Sequence, residues 1–256
     1  MANFHLEFEP ISRKRGRSPV KAATYQSGEK LRDDYYGKTY YHSRHDILHI
    51  EILLPAYAPP EFYNRQILWR EIDKAEKRID ARTAYRAIGS LPNEKEFTLP
   101  DHVEIVREYV TNNFINMGMC ADIAIHEGKH KNDPMKNNPH VHILLPDRPI
   151  SRDGFCPKKN RDWNDWKSNK LIKSQRDQWA EVQNRAYERK GLDVRITAKG
   201  YIERGLFDIE PRLYLSRKDM YFEQKGIRTI RGDENRAIKE RNREREENER
   251  SRDRGW

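Results

Sequence analysis

The chain has 256 residues, 36% hydrophobic and 36% charged, with 50 Lys and Arg against 41 Asp and Glu and a net charge of +9. That is enough apolar material for a substantial core under a strongly ionic surface, and the positive balance favours a polyanionic partner, most simply nucleic acid. No run approaches the roughly 18 apolar residues of a membrane span, Met1-Ala2-Asn3-Phe4-His5 lacks the pattern of a secretory signal, and Cys120 and Cys156 alone suggest no oxidising compartment; the expectation is a cytoplasmic protein without membrane insertion.

Alternation of Phe4, Leu6 and Phe8 predicts a first strand over Asn3 to Phe8. A basic loop follows, Ser12-Arg13-Lys14-Arg15-Gly16-Arg17, and Ser18-Pro19 then reads as an N-cap with proline at the first helical position. The helix is expected to continue through Tyr25 and Leu31 to about Tyr36. Ile47 to Leu54 is a strand closed by Pro55, and Glu61 opens a helix with Phe62, Ile67, Leu68, Ile72 and Ala75 at helical spacing. Lys95 to Leu99 is predicted as a strand, after which Asp101 caps a helix carrying Val103, Val106, Val110 and Phe114 and ending at Gly118.

Two apolar runs come next, Ala121 to His126 and Asn138 to Pro146. Side chains alternate along a strand, so His140 and His142 share a face while Val141 points to a core. Paired as a hairpin, the runs bring His126 across to meet them. Three imidazoles on one face can hold a divalent metal and leave positions open for substrate. They do not choose among zinc, manganese and magnesium.

Beyond the hairpin, Pro157 to Lys173 is polar and basic with Trp163 and Trp166 interleaved, a pattern suited to stacking unpaired bases beside phosphate contacts. Gln175 to Lys190 is a helix ended by Gly191, Arg195 to Pro211 is irregular, and Tyr214 to Lys225 is a short helix ended by Gly226. Arg236 to Arg254 is a mixed-charge run, either a solvated helix or disordered. The chain is divided accordingly into a domain of residues 1–230 and a tail of 231–256. Strands alternating with helices imply an α+β fold, a mainly antiparallel sheet with flanking helices.

A phosphoryl-polarising metal needs a nucleophile. Tyr25 follows directly on the basic loop of Arg13, Lys14, Arg15 and Arg17, which together with Lys21 can hold a nucleic-acid backbone. A phenol, with a reference pKa of about 10, attacks only where a metal and cations favour its anion. The chain has 13 tyrosines, and Tyr35, Tyr36, Tyr40 and Tyr41 stand equally close to basic residues.

Several runs, in order, resemble the MobA/MobL relaxases of mobilisable plasmids and integrative elements. They are Phe4-His5-Leu6, Ser12-Arg13, Ser18 through Lys30, Ile50 through Pro55, Lys95 through Pro100, Met117 through Asp122, Asn138-Pro139-His140-Val141-His142 and Lys225 through Thr229. The resemblance covers nearly the whole chain. It implies the HUH relaxase fold with its metal site on the central hairpin, and site-specific nicking of one DNA strand at a transfer origin. On it, Tyr25 is the nucleophile that forms a 5′-phosphotyrosyl link, and His126, His140 and His142 hold Mg²⁺ or Mn²⁺ (Zn²⁺ being possible). Glu96 would brace a ligating histidine from a strand beside the hairpin. The implied partners are single-stranded origin DNA, relaxosome accessory proteins and a type IV coupling protein. Two other readings stay open, a rolling-circle replication initiator of the same superfamily and a DNA-binding module without catalysis. The chain departs from its relatives at Thr197 to Gly200, at Tyr214 and in the inserted Lys129 to Lys136.

Overall fold

The computed structural model describes residues 4–130, 133, 137–161 and 170–253. Trp163 and Trp166, expected to face DNA, lie outside the described residues. In chain order, β1 (Leu6–Ser12) leads through a 3-10 turn (Arg13–Arg15) to α1 (Pro19–Ser27), and a small hairpin of β2 (Leu31–Asp33) and β3 (Lys38–Tyr40) follows. Then come β4 (Ile47–Leu53), α2 (Arg65–Ala75), β5 (Arg82–Ser90), α3 (Leu99–Asn113), β6 (Ala121–His126) and β7 (His140–Pro146). The short β8 (Ile150–Ser151) and β9 (Gly154–Phe155) precede α4 (Lys170–Arg189), α5 (Arg217–Gln224) and α6 (Ile230–Asp253). No helix is long and apolar enough to cross a membrane among the described residues.

Five strands form one sheet in the order β1-β5-β7-β6-β4, antiparallel at every pairing. The period of two divides each central strand between two cores. Ile123 and Ile125 of β6 and Val141, Ile143 and Leu145 of β7 pack with Val106, Val110 and Trp179 of α3 and α4. Leu144 of β7 and Ile52 of β4 face the other way, onto Val20 and Ala23 of α1 and Leu68, Trp69 and Ile72 of α2. The architecture is therefore α+β, with helices on both faces of an antiparallel sheet.

Local chemistry explains where the elements stop, and in three places corrects the pattern read from sequence. The first strand runs to Ser12, not Phe8, because it pairs along its length with β5; Pro10 is tolerated there because β1 is an edge strand. At the start of α1 the expected cap is in place, Ser18 Oγ accepting from the Lys21 N–H at 3.0 Å. Its end comes at Ser27, nine residues before Tyr36, because Gly28 adopts a left-handed φ of 72° and returns its N–H to Thr24. The chain then folds back as β2 and β3, anchored by the buried Asp33 carboxylate, which accepts from Ser18 Oγ and from the Tyr36 N–H.

The third correction concerns Lys95 to Leu99. These residues form a turn closed by Phe97 N–H to Glu94 O, at 3.0 Å, and then enter α3. Thr98 is the cap of that helix and Asp101 its reciprocal partner in a capping box. The strand beside the hairpin is instead β5, whose small residues conceal it from hydrophobic patterning. A Cβ built on Gly89 would stand 2.9 Å from Trp179 Cζ2, so glycine is what lets α4 lie against the sheet there.

The chain divides into two compact units, Met1–Ala198 and Lys199–Trp256. Within the second, Arg241 and Arg245 converge on Glu210 and Asn242 brackets its backbone. The tail expected at 231–256 falls within this second unit. The mixed-charge run is helical as far as Asp253, forming most of α6.

Candidate metal and nucleophile site

β6 and β7 pair with His126 opposite His140 and Ala124 opposite His142. All three histidines thus project from the α1 side of the sheet, as strand alternation requires. One ring nitrogen from each lies within 4.8 Å of the others. His126 and His142 are buried and His140 is half-buried.

Two of the imidazoles are oriented by what their other nitrogen meets. His126 Nε2 donates to the Gln26 carbonyl at 2.8 Å, leaving Nδ1 buried without a partner among the described residues. His140 Nδ1 donates to Asn138 O at 2.7 Å, leaving Nε2 for a ligand. His142 Nδ1 is also buried and unpartnered. Fixing one ring nitrogen to a carbonyl sets the tautomer and presents the other as a lone pair. Burial, with His126, His140, Arg86 and Arg44 adding to it, pushes the His142 imidazolium down to about 2. His126 is lowered too, first by burial. Neutral imidazoles are what a divalent metal requires, so the donor set and its orphaned nitrogens fit such an ion.

The loop that carries His140 rests on one glycine. Gly128 has a φ of +59°, and a Cβ there would stand 2.1 Å from Asn138 O. The same Asn138 donates its N–H to Gly128 O at 3.0 Å. Gly128→Ala is expected to displace Asn138 from beneath His140 and weaken Mn²⁺ binding by about 10-fold, measured by titration under electron paramagnetic resonance. An unchanged affinity would mean that His140 keeps its place without this support.

Tyr25 sits in the last full turn of α1, the residue 42% exposed. Its centroid is 6.1 Å from that of His142, edge to face, and 5.7 Å from His42. Arg44 places its guanidinium carbon 4.5 Å from the same ring. The Asp46 carboxylate, and after it the Tyr25 oxygen, hold Arg44 above the ordinary arginine range while burial opposes. In return Arg44 holds Asp46 at about 2. Among the described residues no other tyrosine ring meets a site histidine. Tyr35, by contrast, lies under Arg13, 3.7 Å from its guanidinium carbon.

Arg13 corrects the expected DNA surface. It is 7% exposed, and its donors are spent on Asp73, Glu76 and Arg78 around the C-terminal end of α2. Arg13 therefore locks the 3-10 turn to α2 with both of its terminal nitrogens and keeps only a buried Nε without a partner among the described residues. Lys14 and Arg15 are exposed, and so is Lys21, one helical turn before Tyr25 on the same face of α1. Arg17 is half-buried and pairs with Glu9. Glu96 lies in the turn before α3, not on a strand beside the hairpin; the histidine N–H groups that have acceptors use Gln26 O and Asn138 O instead. His42, Arg44 and Asp46 escaped the sequence reading because only the β2–β3 hairpin returns them to Tyr25. An Arg-x-Asp pair just ahead of a strand was the sole local hint.

The MobA/MobL family model matches residues 17–218. The conjugal transfer protein TraA of Agrobacterium fabrum (strain C58) is 29% identical over 89% of this chain, which covers 23% of that protein. The mobilisation protein MobL of Acidithiobacillus ferridurans is 29% identical over 84% of the chain, covering 62% of its own length. The chain thus spans less than a quarter of TraA. A solved structure described as "Molecular Basis of Vancomycin Resistance Transfer in Staphylococcus aureus" superposes with a TM-score of 0.66 at 28% identity, covering 77% of this chain and 99% of that one. The family match takes in the whole stretch from Lys21 and Tyr25 to the histidine hairpin and α4, and the chain belongs to the MobA/MobL family.

Proposed function

We propose that this chain is a relaxase, nicking one strand of a plasmid or integrative-element transfer origin by metal-assisted tyrosine transesterification. The observation that carries the reading is the Tyr25 ring set edge to face against His142, one member of the His126, His140 and His142 cluster. The Tyr25 hydroxyl loses its proton and its oxygen bonds to the scissile phosphorus. The bond from phosphorus to the 3′-oxygen breaks, and that oxygen leaves as a hydroxyl. One phosphodiester replaces another, so the step is close to thermoneutral and the 3′-hydroxyl can reverse it to religate the strand.

A divalent ion held by the three histidines, Mg²⁺ or Mn²⁺ foremost, would supply Lewis-acid stabilisation of the phosphate charge. The chain's own residues do the positioning. Gln26 O aligns His126 from the residue next to the nucleophile, so the helix that carries Tyr25 also sets a ligand. Lys14, Arg15 and Lys21 offer exposed cations for the incoming backbone. Accessory proteins of the relaxosome and a type IV coupling protein are the partners such an enzyme would meet.

The test uses labelled single-stranded 40-mers tiled across both strands of the DNA flanking the gene. With Mn²⁺, one oligonucleotide should be cut at a single position and leave a covalent protein adduct, and chelation with EDTA should remove both. Specific binding without any cut or adduct would favour the non-catalytic module. A nick confined to a replication origin would favour the rolling-circle initiator.

A further inference from the structure

We infer that Arg44, clamped by Asp46, is a phosphate-binding residue of this site, donating its remaining nitrogen to a non-bridging oxygen of the phosphodiester that Tyr25 attacks. The inference rests on the proposed relaxase reading and adds to it a substrate contact outside the histidines and the nucleophile.

Arg44 Nε and Nη2 meet the two Asp46 carboxylate oxygens at 2.8 and 2.6 Å. This is the fork-on-fork arrangement that fixes a guanidinium in both position and plane. The third nitrogen, Nη1, is buried and makes no hydrogen bond of good geometry among the described residues, although the Tyr25 oxygen stands near enough to the guanidinium to favour its charge. A buried donor without an acceptor is costly, and in a native fold it asks for an explanation. The clamp is itself anchored to the metal strand. Asp46 O accepts from Glu127 N–H at 2.8 Å, one residue beyond His126, and Ile47 pairs with His126 across the ladder. Arg44 therefore stands beside the Tyr25 ring, at the end of the sheet that bears the histidines.

Other cations also keep a buried nitrogen without a partner among the described residues, Nε in both Arg86 and Arg13. Arg86, however, turns its Nη2 to Glu9 at 2.6 Å, and Arg13 spends both terminal nitrogens on the end of α2, so Arg44 is the one that stands over the Tyr25 ring. Because Asp46 neutralises Arg44, what the pair adds is a directed N–H at a fixed place, not net charge. Lysine has one compact point charge and no fork, so it cannot both hold Asp46 and aim a further donor.

The first probe is dimethyl phosphate, a phosphodiester monoanion, titrated into the Mn²⁺-loaded full chain while ³¹P relaxation is recorded. Arg44→Ala should weaken dimethyl phosphate binding by about 10-fold or more with Mn²⁺ affinity unchanged, and Arg44→Lys should not restore it. Asp46→Asn, which loosens the clamp while leaving the guanidinium in place, gives an intermediate loss and serves if the alanine variant does not fold. The second probe is a single-stranded oligonucleotide that wild type cuts, with each phosphorothioate diastereomer at the scissile position. Arg44→Ala should slow the all-oxygen substrate by about 10²-fold and one diastereomer hardly at all, since sulfur there has already removed the contact.

Equal dimethyl phosphate affinity in wild type and Arg44→Ala, full recovery in Arg44→Lys, or no dimethyl phosphate binding by wild type each overturns the assignment. Diester binding that depends on Arg44 in a protein that never nicks DNA would sink the relaxase reading and leave the phosphate contact standing.

Discussion

Tyr25→Phe is expected to abolish the covalent protein–DNA adduct and to slow nicking by at least about 10³-fold, the scale on which removal of an attacking group acts. The substitution deletes one oxygen, and with it the Tyr25 contact that favours the Arg44 charge, but it leaves the ring, so the edge-to-face contacts with His142 and His42 and the placement of Arg44 over the ring survive. His126 and His140, oriented by Gln26 O and Asn138 O, do not depend on the hydroxyl. Mn²⁺ affinity and melting temperature should therefore stay at wild-type values while the adduct disappears. That separation is the diagnostic result. Should an adduct persist, mass spectrometry of the linked peptide would identify the residue that carries it, and the exposed Tyr35 and Tyr41 would be examined first. A persistent nick without an adduct would mean that water attacks.

The largest effect on stability is expected at Asp122, in the middle of the sheet. Its carboxylate is fully buried, and one oxygen accepts from both Arg65 Nε and Trp69 Nε1, each at 2.8 Å. Asp122→Ala leaves a buried guanidinium and an indole N–H without that acceptor, a loss of about 3–5 kcal/mol when one partner of a buried pair is removed. Glu29 remains to Arg65, so the cost should fall toward the lower figure. In a domain of this size the melting temperature should drop on the order of 10 °C. Asn at the same position keeps one oxygen of the same shape and should lose less. Gln26 Nε2 bonds to the Asp122 backbone carbonyl at 2.9 Å, which the substitution leaves intact. Below its melting point Asp122→Ala should accordingly retain Mn²⁺ affinity. A melting temperature within about 2 °C of wild type would show that Glu29 alone compensates Arg65.

Asp122 and Gln26 also indicate why the site's two halves stay in register. Gln26 gives its side chain to β6 and its backbone carbonyl to His126, so the residue beside Tyr25 is fastened at both ends to the strand that carries His126. Displacement of α1 would disturb Tyr25 and His126 together. This is the sort of rigid support that holds reacting groups at attack distance.

Much of this was present in the sequence because it depends on neighbours along the chain. Alternation within a single strand put His140 and His142 on one face, and a short cross-strand step added His126. Ser18 and Pro19 began α1 through a hydrogen bond three residues long. The antiparallel α+β class followed from the spacing of apolar runs, and the order of short motifs pointed to the family. What depended on distant partners was not legible. The strand β5 is recognised as one by β1, β7 and the indole of Trp179, not by its own small residues. Helix α1 stopped at Gly28 because the following residues found a hairpin anchored on Asp33. Arg13 and Arg44 look alike as basic residues in polar segments, yet one is sealed against the end of α2 and the other is turned toward Tyr25. The side chain of an arginine is long enough to reach several alternatives, and only the packed acceptors around it, Asp73 and the carbonyls of Glu76 and Arg78 in one case and Asp46 in the other, decide where its charge goes.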